Sequence, residues 1–357
     1  MRLVRTYNQK GLTLDKALSV ISMPRSTYYQ AIKSELERPA AQKVGRPVST
    51  HTMYWNGKDW DHHPNDQVVA RIRSLFANPL VDYGYLKVTD GLGNQGYFIN
   101  HKKVYRLMQE ARLLRADRIG RPLHPKTRVK QKMVVPEAPF EYFEMDIKQV
   151  YLSGCDRNAY VLTIIDVYTR LAMGYYVGFQ LSQYAVIGLW NKVLQTGLVV
   201  IDLPNGRRII VRSDNGSQFI AYSVAAFMDQ RSINHEFTHV ASPEENGHIE
   251  AFHSIVENAI DGYDFEALDD LQSFLKDFYK FYNHERLHSS ICNLSPSDFY
   301  LLWNKDLIRE QIIRGRKTYH LKINRYLLNG VIGIREPECS KCLLLDSLPV
   351  SEIKAPQ

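Results

Sequence analysis

The chain has 357 residues, with 45 Lys and Arg against 38 Asp and Glu, a formal net charge of +7 and 45% hydrophobic residues. That length calls for two or three domains with a large core; no apolar run is long enough to span a bilayer, and the basic start Met1-Arg2-Leu3-Val4-Arg5 lacks the apolar stretch of a secretion signal. Four cysteines, Cys155, Cys292, Cys339 and Cys342, are too few and too scattered for a disulfide framework, which suits a reducing, cytoplasmic location.

The charge is unevenly spread. Residues 1–138 hold 24 basic against 11 acidic residues, residues 139–303 hold 11 against 21, and residues 304–357 hold 10 against 6. An acidic block between basic ones is the layout of a metal-dependent enzyme with separate DNA-holding modules.

In chain order, residues 1–35 read as a helix-turn-helix. Leu14, Ala17, Leu18 and Ile21 recur at helical spacing after a candidate N-cap, Thr13; Ser22-Met23-Pro24-Arg25 breaks the helix, and Ser26 can cap the next. That second helix would offer Arg25, Thr27 and Gln30 to a major groove. Residues 36–65, polar and broken by Pro39, Pro47 and Pro64, read as a linker. His62 and His63 have no cysteine before Cys155 to complete a zinc module. Residues 66–118 form a second helical, winged-helix-like DNA-binding unit, with Val68, Ile72 and Leu75 on one helix, Tyr85 to Leu92 on the next, and Val104, Leu107 and Met108 on a third that begins after Asn100. Lys102, Lys103, Arg106, Arg112, Arg115 and Arg118 lie on or after that third helix. Arg121, Lys126, Arg128 and Lys130 continue through a basic linker over residues 119–138, a density that tracks phosphates.

Residues 139–303 read as an α/β core. Tyr142 to Tyr151, Ala159 to Tyr168 and Arg170 to Phe179 are β-rich runs with tight connections, an antiparallel meander. A helix over 182–196, a strand at Ile209 to Arg212, a helix over 222–231, a strand at Asn234 to Thr238 and helices over 244–260 and 267–282 follow. Three acids stand out. Asp146 sits between Met145 and Ile147, where an unpaired carboxylate is costly and needs a partner or a metal. Asp214 follows the strand ending at Val211-Arg212, and Glu250 lies near the start of an amphipathic helix, with 35 residues between the two acids. Asp166 rivals Asp146, but it ends its strand and is explained as a turn residue paired with Arg170. Glu244, Glu245 and Glu257 rival Glu250. Three carboxylates on two strands and a helix suit Mg²⁺ in phosphoryl transfer, since that ion takes a few carboxylates plus water and phosphate.

The stretches Asp214-Asn215-Gly216-Ser217-Gln218, Ser242-Pro243-Glu244-Glu245-Asn246-Gly247-His248-Ile249-Glu250, Tyr282 to Ser290 and Leu294 to Tyr300 resemble the DDE transposases and integrases. Tyr83-Gly84-Tyr85 and Val104 to Met108 extend the likeness to bacterial insertion-sequence transposases of the IS-three type. The resemblance implies an RNase H-like core, a mixed five-stranded sheet with flanking helices, with Asp146, Asp214 and Glu250 as metal ligands and catalytic acids. It also implies Mg²⁺, with Mn²⁺ as substitute, and activity on double-stranded DNA: cleavage at mobile-element ends and joining of their 3′-hydroxyls to target DNA. A homo-oligomer on DNA, in the nucleoid of a bacterial cytoplasm, is implied too, and an accessory element-encoded protein is left open. Asn283, Arg286 and His288 would support the core or touch DNA. Glu257 departs from the pattern, since many relatives carry Lys or Arg two turns after the catalytic Glu; His248 and His253 are candidates for the missing contact. The alternatives are a catalytically silent DNA-binding or regulatory protein with the same fold, and an RNase H-like structure-specific nuclease.

After Tyr300, residues 304–357 read as a small β-rich domain, with Tyr319, Leu321 and Ile323 alternating and Asn329-Gly330 as a hairpin turn. The lone Cys339-Ser340-Lys341-Cys342 is a weak signal for zinc.

Overall fold

Short apolar repeats near the N-terminus fold as three helices, α1 (Arg2–Gln9), α2 (Leu14–Val20) and α3 (Arg25–Leu36), closing on Val4, Ala17, Leu18 and Tyr28. The computed structural model describes residues 2–36, 48–115, 136–201, 203, 206–239, 246–313 and 316–332, in two compact units, 1–50 and 51–357. Thr13 sits at the N-cap of α2 without a side-chain cap bond, and α3 begins one residue before Ser26.

In the second unit, the expectation of a linker through residue 65 is corrected. Strands β1 (His51–Trp55) and β2 (Trp60–Pro64) form an antiparallel hairpin. Its turn is built by Asn56, whose Oδ1 accepts from the N–H of Lys58 and Asp59, and by Gly57 at φ +99°, a conformation glycine adopts without strain. Trp55 and Trp60 meet across it, as do Tyr54 and His63. Pro64 closes β2 and stands at the N-cap of α4 (Asn65–Phe76). Helix α5 (Tyr85–Asn94), strand β3 (Tyr97–Phe98), which completes a three-stranded sheet in the order β2-β1-β3, and α6 (His101–Glu110) follow. Asn100 caps α6 by accepting from Lys102 N–H at 2.8 Å. Val68, Ile72, Val88, Leu92, Val104 and Met108 make the core of this module, and Phe281 and Leu287 enter it from far downstream.

Three long strands then form the meander: β4 (Tyr142–Leu152), β5 (Arg157–Asp166) and β6 (Ala172–Gly178). Helix α7 (Gln183–Gln195), strand β7 (Ile209–Ser213), the short α8 (Ser217–Ile220), α9 (Tyr222–Gln230) and β8 (Ile233–Phe237) come next. The sheet order is β6-β5-β4-β7-β8, with β4 antiparallel to β5 but parallel to β7, and β7 parallel to β8. Helices α10 (Gly247–Ile260) and α11 (Leu268–His284) pack on one face of the sheet through Ile249, Phe252, Val256, Leu275 and Phe278; α7 and α9 cover the other through Leu189, Trp190, Val224 and Met228. This mixed five-stranded sheet between helices is the RNase H-like arrangement.

After α12 (Pro296–Asn304), strands β9 (Ile308–Ile313) and β10 (Arg316–Leu321) pair antiparallel. The hairpin expected at Asn329-Gly330 is corrected here: both residues lie inside a helix, α13 (Leu328–Ile332), and β10 pairs with the strand before it. The reason is packing, since Leu328, Val331 and Ile332 fall at helical spacing and join one cluster with Phe299 and Leu302. Cys339 and Cys342 lie outside the described residues.

Candidate active site

Parallel pairing of β4 with β7 matches Tyr142 with Ile210, Phe143 with Val211 and Glu144 with Arg212. Continued by two residues, that register sets Asp146 level with Asp214. Phe143 and Val211 turn to the α7 side, and alternation sends Glu144 and Asp146 to the opposite face, under α10. Asp146 and Asp214 line an open cleft of about 490 Å³, together with Gln149, Phe179, Gln180 and Gln218.

Each carboxylate is oriented by local bonds. Asp146 Oδ1 accepts from Ile147 N–H at 2.8 Å, and Asp214 Oδ1 from Gly216 N–H at 3.0 Å. Asn215 Nδ2 donates to Thr238 O and Ser213 Oγ lies 2.9 Å from His235 Nε2, so the Asp-Asn-Gly turn is tied to the end of β8. Burial pushes the Asp214 carboxyl above its ordinary range, with the nearby Asp146 charge adding to the rise and the Gly216 N–H opposing it.

Glu250 stands in the first turn of α10, exposed, and is not among the residues lining the cleft. One turn on, His253 Nδ1 comes within 3.4 Å of Asp146 Oδ2, so the helix stripe that carries Glu250 faces Asp146. Among the described residues no group of three or more His, Cys, Asp or Glu side chains stands close enough to hold a metal ion. The donor set still fits a hard divalent cation in part, with two adjacent carboxylates in an open polar cleft and a third acid one helical turn from a residue touching the first.

Sequence reasoning missed Glu144. Its side chain is buried at 2% exposure, and its Oε2 accepts from the backbone N–H of His248 at 3.0 Å and Ile249 at 2.8 Å, capping α10 in place of Asn246, whose side chain makes no cap bond. Burial pushes its carboxyl up to about 7, against the Ile249 and His248 N–H groups and the Arg170 and Arg212 charges. A row of acids at 141, 144 and 146 carries no mark of which one is covered.

The rivals resolve differently. Asp166 is fully buried and accepts from Phe140 N–H, Thr169 N–H and Thr169 Oγ1, so Phe140 and Thr169, not the expected Arg170, donate to its carboxylate. Glu257 meets Lys148 Nζ at 3.4 Å. Burial, then Arg170, pushes His248 down to about 3, which keeps its ring neutral and unsuited to hold a phosphate by charge.

The downstream motif is structural. Asn283 donates to Ala172 O and accepts from Ala172 N–H, Arg286 forms a two-pronged pair with Asp82, and Tyr83 OH accepts from Leu287 N–H. His288 is pushed well below its ordinary pKa, chiefly by burial, and packs edge-on against Tyr282.

Of the residues expected to hold DNA, Thr27, Gln30, Lys102 and Arg112 are exposed. Arg25 pairs with Asp15 at 3.0 Å, Lys103 Nζ donates to His51 O, Arg106 lies 3.7 Å from Glu110, and Arg115 donates to Val81 O. Arg118, Arg121, Lys126, Arg128 and Lys130 lie outside the described residues.

Models of the integrase core domain match residues 136–243 and 231–296, and a model of an HTH-like domain matches residues 63–121. The chain is 27% identical over 220 residues to an insertion element IS476 protein of Xanthomonas euvesicatoria, covering 61% of this chain and 60% of that protein. It is 25% identical over 264 residues to an insertion element IS407 protein of Burkholderia multivorans, covering 74% and 90%. It is 23% identical over 258 residues to the transposase for insertion sequence element IS904 of Lactococcus lactis, covering 66% and 96%. Solved structures with a similar fold include a chain of the simian T-cell lymphotropic virus intasome, at 12% identity and TM-score 0.40, covering 65% of this chain and 74% of that one.

Proposed function

We propose that this chain, a member of the DDE transposase and integrase superfamily by its integrase core, is a DNA transposase that cuts at mobile-element ends and joins the freed 3′-hydroxyls to target DNA. The observation that carries the reading is the level placement of Asp146 and Asp214 by the β4/β7 register, in an open cleft with the stripe of α10 that bears Glu250 on the same side.

Asp146, Asp214 and Glu250 would hold Mg²⁺, or Mn²⁺ in its place. Two divalent ions bound there would supply Lewis acidity, lowering the pKa of water and then of the 3′-hydroxyl and offsetting charge on the phosphate under attack. The carboxylates supply the negative charge that retains the cation, and the Ile147 and Gly216 N–H groups keep two of them aimed into the cleft. No side chain is needed as nucleophile. The cleft's openness suits a phosphodiester on duplex DNA, and two element ends joined in concert imply a dimer or larger assembly on that DNA. The basic N-terminal third would carry most of the DNA affinity, in the nucleoid of a bacterial cytoplasm.

One observation favours a second reading, a DNA-binding protein without chemistry: Glu250 stands outside the cleft that the two aspartates share. Neutral isosteres separate the two. Asp146→Asn, Asp214→Asn and Glu250→Gln should each remove metal-dependent cleavage and joining of end DNA while end binding and folding persist. If none of the three changes any DNA transaction, the silent reading replaces the enzymatic one; cleavage without joining in the wild type would point to a nuclease.

A further inference from the structure

On β4, Glu144, Asp146 and Lys148 alternate with the apolar Phe143, Met145 and Ile147, so the three polar residues stand in one row on the face under α10. Each meets a successive turn of the helix. Glu144 accepts from His248 and Ile249 N–H at 3.0 and 2.8 Å, Asp146 faces His253 at 3.4 Å, and Lys148 faces Glu257 at 3.4 Å. The spacings agree. Two residues of strand advance about 6.6 Å, and the helix advances about 6 to 7 Å over the four or five residues between its contacts.

Beside this row, α10 buries Ile249, Phe252 and Val256 against β-sheet residues such as Val150 and Leu152. Apolar contact of that kind is non-directional and tolerates sliding. The polar row does not, because a slip of one turn strips the buried Glu144 carboxylate of both donors and brings Lys148 toward the His253 turn.

We propose that Glu144–α10, Asp146–His253 and Lys148–Glu257 form a three-rung ladder that fixes the axial register of α10 on β4, making Glu144 and Lys148 positioning residues that place Glu250 relative to Asp146. The functional part of this inference rests on the reading of Asp146, Asp214 and Glu250 as one site; the register itself does not. Lys148 therefore acts through Glu257 and the helix, and is not a phosphate contact in its own right.

The test uses the full chain with Glu144→Ala, Glu144→Gln and Lys148→Met. Three readouts are taken: hydrogen exchange of the α10 amides, metal-free affinity for end DNA with its salt dependence, and the single-turnover rate of Mn²⁺-dependent cleavage. Glu144→Ala should speed exchange at His248 and Ile249 and slow cleavage about 10- to 100-fold, the usual cost of removing a group that orients a metal ligand, with DNA affinity unchanged. Glu144→Gln, which keeps an acceptor oxygen, should recover most of both. Lys148→Met should slow cleavage without altering affinity or salt dependence. A loss of affinity with a salt slope lower by about one would instead make Lys148 a phosphate contact and overturn its role in the ladder. Cleavage within about twofold of wild type in Glu144→Ala, against the loss expected for an orienting group, with α10 exchange unchanged, overturns the proposal. Should Glu144→Ala fail to fold, Glu144→Gln and Lys148→Met decide by the same readouts. A wild-type chain with no metal-dependent cleavage would fail the proposed function, and α10 exchange would still decide the register.

Discussion

Asp82 and Arg286 are 204 residues apart in the chain and join the helical module to the five-stranded-sheet core. The Arg286 side chain is 8% exposed and the Asp82 side chain 25%, with Nη1–Oδ1 at 2.9 Å and Nη2–Oδ2 at 3.3 Å. The asymmetry in exposure predicts an asymmetry in cost. Asp82→Asn leaves a guanidinium buried without its counter-charge, and breaking a buried pair in that way costs about 3 kcal/mol or more. Arg286→Met removes the buried charge and leaves Asp82 where water can reach it, so the cost should be nearer about 1 kcal/mol, that of an ordinary lost hydrogen bond. The double variant should then match Arg286→Met, with a coupling of about 3 kcal/mol in the cycle. Urea unfolding of the full chain, with exchange at α5 amides as a local probe, measures all three. An Asp82→Asn cost no larger than that of Arg286→Met would refute the reasoning, and would leave the Tyr83 and Leu287 contacts as the joint.

Asp166→Asn should destabilise the fold by about 1–3 kcal/mol, because all three of its neighbours are donors and the new amide N–H₂ must face one of them; thermal melting checks this, and loss of cleavage at a temperature where the variant stays folded would instead give Asp166 a chemical role. Burial pushes His235 down to about 4, so the unfolded chain takes up a proton below its ordinary value near 6.5 while the folded chain does not until about 4. The contribution of His235 to stability is therefore full above that range and lost as pH falls through it, by about 1–2 kcal/mol at about pH 5; melting curves of wild type and His235→Gln should converge in their acid sensitivity only if this is wrong. On the proposed function, Lys102→Ala should weaken duplex binding uniformly across sequences and lower the salt slope by about one, read by titration at several salt concentrations; no change would remove the exposed end of α6 from the interface.

The core strands were legible because each is long and apolar enough to stand out: β4, β5 and β6 begin and end within two residues of the expected runs at every end. The pairing of Asp146 with Asp214 was legible as chemistry and not as geometry, since the parallel register that levels them is a property of two strands about sixty residues apart. What stayed hidden depended on burial or on distant partners. Glu144 looks like Glu141 in the sequence, yet one is sealed under α10 and the other pairs with Arg207. The hairpin at residues 51–64 was obscured by Pro64 and its histidines, although the Asn56-Gly57 turn was present to be read. Asn329-Gly330 shows the converse, a strong local turn signal overruled by the packing of Leu328 and Val331.

The parallel seam between β4 and β7 also sets where this chain tolerates change in length. Because side chains alternate along a strand, deleting Glu144 from β4 would turn Met145 toward α10 and shift Asp146 to the apolar side of the sheet. The connection from α7 to β7 carries no such phase. Residues added at the exposed positions 206–208 before β7 leave Asp214 level with Asp146, since the seam, not the crossing, fixes its height. Natural variation in related chains should therefore gather length differences in that crossing and leave the spacing from Tyr142 to Asp146 free of gaps.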